Sequence, residues 1–292
     1  MTILCLGSVN IDYVYRVPHF AAPGETLAAE GYAVHLGGKG ANMTLAAALA
    51  EGDIAHVGAV GPGSGWIKDR LSQAGADIGD LRIIQKATGH ARILVDPAGE
   101  NSIIIWPGAN RAIPKSVVTE ALGRRAPGDW LLIQNETNLV SETAAAARAR
   151  GLRVAYAAAP FDADAAAEVL PNADLLCVNE VEAGQLAGHL GVAPDDLPVA
   201  EVLVTLGARG VRYRGPDGQT ELPGFAVDVV DTTGAGDTFL GVFLAALDGG
   251  APVRDALRRA AAAAAIQVTR PGAADAIPTK AEVDAFLAER SE

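Results

Sequence analysis

Short apolar runs alternate with alanine-rich stretches along most of the chain. ILCLGSV (3–9) gives way to ANMTLAAALAEG (41–52), then AHVGAVG (55–61), then WIKDRLSQAG (66–75). Farther on, DWLLIQ (129–134), RVAYAA (153–158), ADLLCVN (173–179) and AEVLVTLG (200–207) read as strands, with SETAAAARARG and DADAAAEVL as helices between them. Strands that alternate with helices predict a doubly wound, mostly parallel α/β sheet with helices on both faces. Residues 11–36 and 88–106 break the alternation and read as antiparallel strands and turns without helices, the second as a hairpin around Pro97-Ala98-Gly99. Strands inserted at two places and able to pair predict a small β-sheet lid (11–36 and 88–106) on an α/β core made of 1–10, 37–87 and 107–292.

Composition narrows the class of work. The 292 residues are 50% hydrophobic and carry a formal net charge of −12, which excludes a disordered chain and argues against a general grip on nucleic acid or anionic lipid. Cys5 and Cys177 each sit in an apolar run, as small buried hydrophobes do, and no disulfide or metal spacing is present. ILCLGSV has no basic leader and is too short for an export signal, and the alanine-rich stretches fall short of the roughly 18–20 apolar residues of a membrane span. These features predict a cytoplasmic protein that handles small molecules, with no nucleic-acid or membrane partner.

Four segments carry candidate chemistry. In DVVDTTGAGDTFLGVFLAAL (228–247) a β-run meets a glycine-rich turn and then an apolar helix starting near Asp237. The amides of Gly234, Ala235 and Gly236 would lie at a helix N-terminus, where unpaired donors and the helix dipole attract an anion. Asp237 could be a simple helix cap, yet an acid beside an anion hole is also a catalytic pair, a proton acceptor next to donors for developing charge. HLGGKGANMTLAAALA (35–50) repeats the glycine-turn-to-helix pattern, with Lys39 and Asn42 at the turn. GSVNID (7–12) places Asn10 and Asp12 on one face of a strand by period two. NEVE (179–182) ends a strand with Glu180 and Glu182. The dinucleotide pattern G-x-G-x-x-G fails at Phe239, the P-loop pattern fails at Ala33 and Gly40, and His19, His35, His56, His90 and His189 lack zinc-site spacing.

GSVNID, PGET (23–26), GGKGAN, NEVE, TLGARG (205–210) and DTTGAGDTF, in this order over nearly the whole chain, resemble the ribokinase-like (PfkB) carbohydrate kinase family. The resemblance implies transfer of the γ-phosphoryl group of ATP, with Mg²⁺, to a hydroxyl of a small sugar. Ribose leads, with another pentose, a ketohexose or a nucleoside as the alternative. It implies Asp237 as catalytic base and Gly234, Ala235 and Gly236 as the anion hole. Asn10, Asp12, Gly38, Lys39, Asn42 and Glu136 match sugar-binding positions, as does Asp237. Asn179, Thr205, Gly207 and Gly210 match the nucleotide side, and Glu182 a position that acts on Mg²⁺ through water. Asp231 and Thr233 match a monovalent-cation site, for which K⁺ is the expected ion, with main-chain groups around Arg270 and Gly272 as further candidates. A homodimer through the lid is also implied.

The chain departs from the family pattern at several places. Ala157-Ala158-Ala159-Pro160 stands where a polar Asn-Pro-Ala-Pro is usual, and Ala276 where the cation loop usually has Ser. The stretch from Gln185 to Val202 is short, and His90 and Trp106 are unusual for the lid, where they either reshape the sugar pocket or pack within the lid. A non-catalytic sugar-binding protein on the same fold would have lost Asp237 or the GAG turn, and both are present. An oxidoreductase has only fold analogy behind it.

Overall fold

The computed structural model describes residues 2–290, and the strands and helices named here belong to them. The strands are β1 (Ile3–Leu6), β2 (Asn10–Arg16), β3 (Gly31–Gly37), β4 (Ile54–Val60), β5 (Asp77–Ile83), β6 (Gly89–Val95), β7 (Asn101–Trp106), β8 (Trp130–Gln134), β9 (Arg153–Ala157), β10 (Leu175–Asn179), β11 (Glu201–Thr205), β12 (Val211–Gly215) and β13 (Gly218–Leu222). The helices are α1 (Lys39–Leu49), α2 (Gly65–Gln73), α3 (Lys115–Gly123), α4 (Val140–Ala149), α5 (Ala163–Val169), α6 (Glu180–Leu190), α7 (Ala235–Asp248), α8 (Val253–Gln267) and α9 (Lys280–Ala288).

The main sheet runs β13-β12-β11-β10-β9-β8-β1-β4-β5, parallel from β11 to β5 and antiparallel in the β11-β12-β13 extension. Its central strands are apolar without a break because both faces are covered. In β1, Ile3 and Cys5 enter the core packed by α1, α7 and α8, while Leu4 and Leu6 enter the opposite core with residues of α3, α4 and α6. The doubly wound expectation therefore holds. Strands β5, β12 and β13 escaped the sequence pattern because β5 and β13 are the sheet edges and β12 lies next to one, where few residues are buried and the apolar run dissolves.

Two expectations need correction. The segment before the GAG turn is not a β-run: residues 223–234 form no strand, and Val229 and Val230 are exposed, because this stretch skirts a pocket instead of joining the sheet edge. The helix that follows also starts at Ala235, two residues before Asp237.

The second sheet has the order β3-β2-β6-β7. Within each inserted segment the strands pair antiparallel, as read from the sequence, but the two segments join through a parallel pair, Asn10↔Gly89 to Arg16↔Val95. The direction follows from the core. β2 continues from β1 and β6 follows β5, and β1 and β5 both run parallel to β4, so both chains leave the same edge pointing the same way. His90 pairs with Ile11 and with Trp106, one residue out of phase with Asn10 and Asp12. Both unusual residues thus belong to the opposite lid face, where His90 meets the Tyr13 ring edge-on at 5.9 Å. His90 packs against the lid's own Tyr13, whereas Trp106 is exposed on the edge strand.

Helices α1 and α7 carry the key side chains and cross on small residues. A Cβ added at Gly241 would meet the Met43 carbonyl oxygen at 2.5 Å and the Ala46 methyl at 2.8 Å. This close crossing fixes the spacing of Asn42 on one helix and Asp237 on the other.

Candidate active site

The carboxyl ends of the parallel strands point towards one edge of the core, the usual place for a ligand in an open α/β sheet. Ser8 and Glu136 follow β1 and β8, Asn179 ends β10, and Thr205 ends β11. At this edge α1 and α7 begin. Both caps need glycine, because Gly38 (φ 91°) and Gly234 (φ 75°) lie in the left-handed region that side-chain-bearing residues rarely adopt.

Asp237, in the first turn of α7, is buried, and its Oδ2 accepts a hydrogen bond from Asn42 Nδ2 at 2.9 Å. Burial raises its pKa above the ordinary carboxylate value. The Lys39 ammonium and the Asn42 amide pull it back, and Glu136 adds to the rise. Desolvation is the largest of these influences, so the acid is held against its ionisation. The Lys39 pKa is raised as well, by Asp237 first, against burial and with help from Glu136 and Glu182. Asn42 Oδ1 is buried with no partner, so an acceptor waits beside Asp237 for a hydroxyl donor.

Glu136 ties this edge together. Its Oε2 accepts from the Lys39 amide at 3.0 Å and from the Ser8 hydroxyl, and Ser8 Oγ in turn accepts from the Gly40 amide at 3.2 Å. Asn10 is buried, with Oδ1 accepting from Asn110 Nδ2 at 2.8 Å. Asp12 stands next along the same lid face, with a pKa raised to about 6 by burial and by Glu136, against the pull of His35. His35 also bonds Asp275 at 2.7 Å, and Asp275 pairs with Arg70 at 2.5 Å, which links the lid to the core loop after α8.

On the other side of the turn lies an apolar pocket of about 520 Å³. Thr205, Gly207 and Gly210 line it together with Phe225, Ala235 and Gly236. The Ala235 amide donates to Thr232 O at 3.3 Å and the Thr238 amide to Gly234 O at 2.9 Å. The amides of Gly234, Gly236 and Asp237 have no acceptor among the described residues, whereas that of Ala235 is engaged.

Asn179 and Glu182 form a capping box on α6: Asn179 Oδ1 accepts from the Glu182 amide at 2.9 Å, and Glu182 Oε2 accepts from the Asn179 amide at 2.8 Å. The motif thus has a structural task, with one carboxylate oxygen of Glu182 beyond it. Asp231 accepts from the Thr233 amide and hydroxyl at 2.9 and 2.6 Å and from the Gly272 amide at 2.9 Å. Burial opposes its ionisation, but these three bonds prevail and lower its pKa.

The model of the pfkB family carbohydrate kinases matches residues 2–280. The chain belongs to this family. It is 37% identical to the ribokinase of Haemophilus influenzae over 98% of each chain. Among solved structures, the ribokinase of Thermotoga maritima is 34% identical and superimposes with a TM-score of 0.88 over 99% of each chain. The ribokinase of Arabidopsis thaliana, solved with ribose and ATP, is 27% identical with a TM-score of 0.85 over 98% of each. The α/β core with its separate four-stranded sheet is the fold of these carbohydrate kinases.

Sequence reasoning missed several residues of this family site. Ser8 lies inside GSVNID and Asn110 follows Pro107-Gly108-Ala109 after the second lid segment, but a small polar residue signals no chemistry by itself. Asn110 is buried, donates to Val9 O and Asn10 Oδ1, and accepts from the Val9 amide, holding the start of β2. The contact of His35 with Asp275 joins residues 240 positions apart, which no local pattern announces.

Asp12 yields a prediction with a definite sign. A carboxyl whose folded pKa is raised binds its proton more tightly in the folded than in the unfolded chain, so its ionisation destabilises the fold as pH rises through about 6. Asp12→Asn should raise the thermal midpoint at pH 8, with the gain shrinking as pH falls below 6. An equal gain at pH 8 and pH 4.5 would show that Asp12 does not titrate there.

Proposed function

We propose that this protein is an ATP-dependent ribose kinase, transferring the γ-phosphoryl group of ATP to a ribose hydroxyl. The observation that carries the reading is the position of Asp237. It is a buried carboxylate between Asn42 and Lys39 on one side and the Gly236 end of an apolar pocket on the other. The ribokinase relatives, one of them solved with ribose and ATP, support ribose as the sugar.

The sugar lies against Asn10, Asp12, Gly38, Lys39, Asn42 and Glu136, whose polar groups suit a polyhydroxyl ligand. The adenosine part of ATP occupies the pocket beyond Thr205, Gly207 and Gly210, with the phosphates reaching the first turn of α7. The hydroxyl oxygen attacks the γ-phosphorus, the bond to the β,γ-bridging oxygen breaks, ADP departs, and Asp237 takes the hydroxyl proton. Its raised pKa suits this, since a stronger base accepts a proton more readily as long as it remains ionised. Lys39 and the amides of Gly236 and Asp237 face the charge on the transferring group.

No group of three or more His, Cys, Asp or Glu side chains able to hold a metal occurs among the described residues. The carboxylate oxygen of Glu182 that lies beyond the capping box would reach the water shell of Mg²⁺ brought by the nucleotide. When bound, Mg²⁺ neutralises phosphate charge. No helix among the described residues is long and apolar enough to cross a membrane, and with two buried free thiols this supports a cytoplasmic site of action.

We further propose that the sheet of 11–36 and 88–106 is a lid over the sugar and the contact of a homodimer. It ends in an edge strand whose Ile103, Ile104, Ile105 and Trp106 are all exposed, more apolar surface than a free edge usually presents. Light scattering should give a dimer that Ile104→Lys weakens, and hydrogen exchange in both segments should slow with ribose. A monomeric wild type, or protection confined to the core, would refute the respective assignment.

The activity is tested with ribose, deoxyribose, fructose, tagatose and adenosine as acceptors. Ribose should show the highest kcat/KM, and a clear lead by any other acceptor would replace it. Asp237→Asn should lower kcat by about 10²–10⁴-fold. A variant that keeps more than about a tenth of kcat, with chemistry rate-limiting, would make Asp237 a helix cap. Glu182→Gln preserves the capping box, because Gln also accepts the Asn179 amide. It should raise the Mg²⁺ concentration needed for half-maximal rate, and an unchanged titration would remove Glu182 from the metal's surroundings.

A further inference from the structure

Gln267, the last residue of α8, has a side chain with no exposed surface. Its Nε2 lies 2.8 Å from Thr233 O and 3.4 Å from Ala273 O, while its Oε1 is buried without a partner. Two carbonyl oxygens call for a donor, so the amino end faces them. The opposite amide orientation would bring three oxygens together, an arrangement that needs a cation at its centre. Thr233 directly precedes Gly234, and a Cβ at Gly234 would come within 3.0 Å of Gln267 Nε2, so the amide rests against the turn itself. The same two loops are stapled once more by Asp231, which already accepts three hydrogen bonds from Thr233 and Gly272.

These contacts fit poorly with a potassium ion drawing on Thr233 and its neighbours. The Thr233 carbonyl is engaged, Asp231 is supplied with donors, and Ala276 brings no side-chain oxygen. We propose that the Gln267 amide is a built-in substitute for a monovalent cation, holding the Thr233 and Ala273 carbonyls together and so positioning the α7 turn for phosphoryl transfer without K⁺. The inference rests on the kinase reading. A cation in this place would act by drawing carbonyl oxygens inward. An amide with two N–H groups does the same for two of them, carries no net charge and cannot dissociate. Gln267 touches no reacting atom and is a positioning residue.

The test compares KCl, NaCl and choline chloride at equal ionic strength. Wild-type kcat on ribose should agree within about twofold in all three, and activation by K⁺ of more than about fivefold would overturn the proposal. Gln267→Ala removes the donor to the Thr233 carbonyl and leaves the Ala273 carbonyl only the Ala276 amide, and it should lower kcat about tenfold in choline chloride, with recovery in KCl and little change in the ribose KM. A fall that K⁺ does not reverse, or no fall in any salt, would each overturn it. Gln267→Met fills the space without supplying donors and should lose rate with no rescue, while a Met variant as active as wild type would overturn the role of the amide. A readout free of substrate separates this from the kinase reading: the melting temperature of Gln267→Ala should be higher in KCl than in choline chloride, and that of the wild type should not. If no acceptor is phosphorylated in any salt, the kinase reading fails and the melting comparison still decides the role of Gln267. If Gln267→Ala does not fold, the wild-type salt profile and Gln267→Met decide it.

Discussion

Three carboxylates and one ammonium share a small space at the edge of the sheet. Glu136 repels both Asp237 and Asp12, and burial disfavours charge on these two acids, whose pKa values are both raised. Lys39 is the counterweight, pulling the Asp237 pKa down while its own is raised by Asp237. Burying charge without such a partner is costly, so the remaining architecture can be understood as what holds these four groups in position. The arrangement sacrifices stability for readiness. An acid held partly against its ionisation is a stronger base for a hydroxyl, and the orphaned Asn42 oxygen beside it lacks only a donor.

Each group arrives on a different element, and packing sets their spacing. Lys39 and Asn42 come from α1, Asp237 from α7, Glu136 from the end of β8, and Asp12 from the second sheet. The Gly241 crossing brings α1 and α7 close enough for the Asn42–Asp237 hydrogen bond, and Glu136 binds the amide of Lys39. Asp12 depends on the parallel β2–β6 pair, and through Asn10 and Asn110 that pair is anchored where β1 ends. The sheet supplies direction, and the small residues supply distance.

The loop after α8 connects parts that lie far apart in the chain. Gly272 and Ala273 meet the turn before α7 through Asp231 and Gln267, while Asp275 meets His35 of the second sheet and Arg70 of α2. A shift of this loop would therefore be felt both at the first turn of α7 and at the strand beside Asp12. The Ala-rich face of α8 against α7 keeps its base rigid.

The amino-acid sequence by itself determined the layered α/β core, because unbroken apolar runs alternating with alanine-rich helices have few other ways to bury themselves. It also determined the two glycine turns and the acid after the second, because left-handed caps and helix starts are written locally, within a few residues. The strands at and beside the sheet edges, β5, β12 and β13, were not legible, since a half-covered strand loses the apolar signal that marks it. Only the tertiary structure decided that Asn179 and Glu182 close a capping box, that His90 and Trp106 turn away from Asp12, and that burial raises the pKa of Asp237. It alone joined Gln267 to Thr233 and His35 to Asp275. The physical reason is the same in each case: a pKa, a pairing partner or the face a side chain occupies depends on what lies within a few ångströms in space, and those neighbours come from distant parts of the chain.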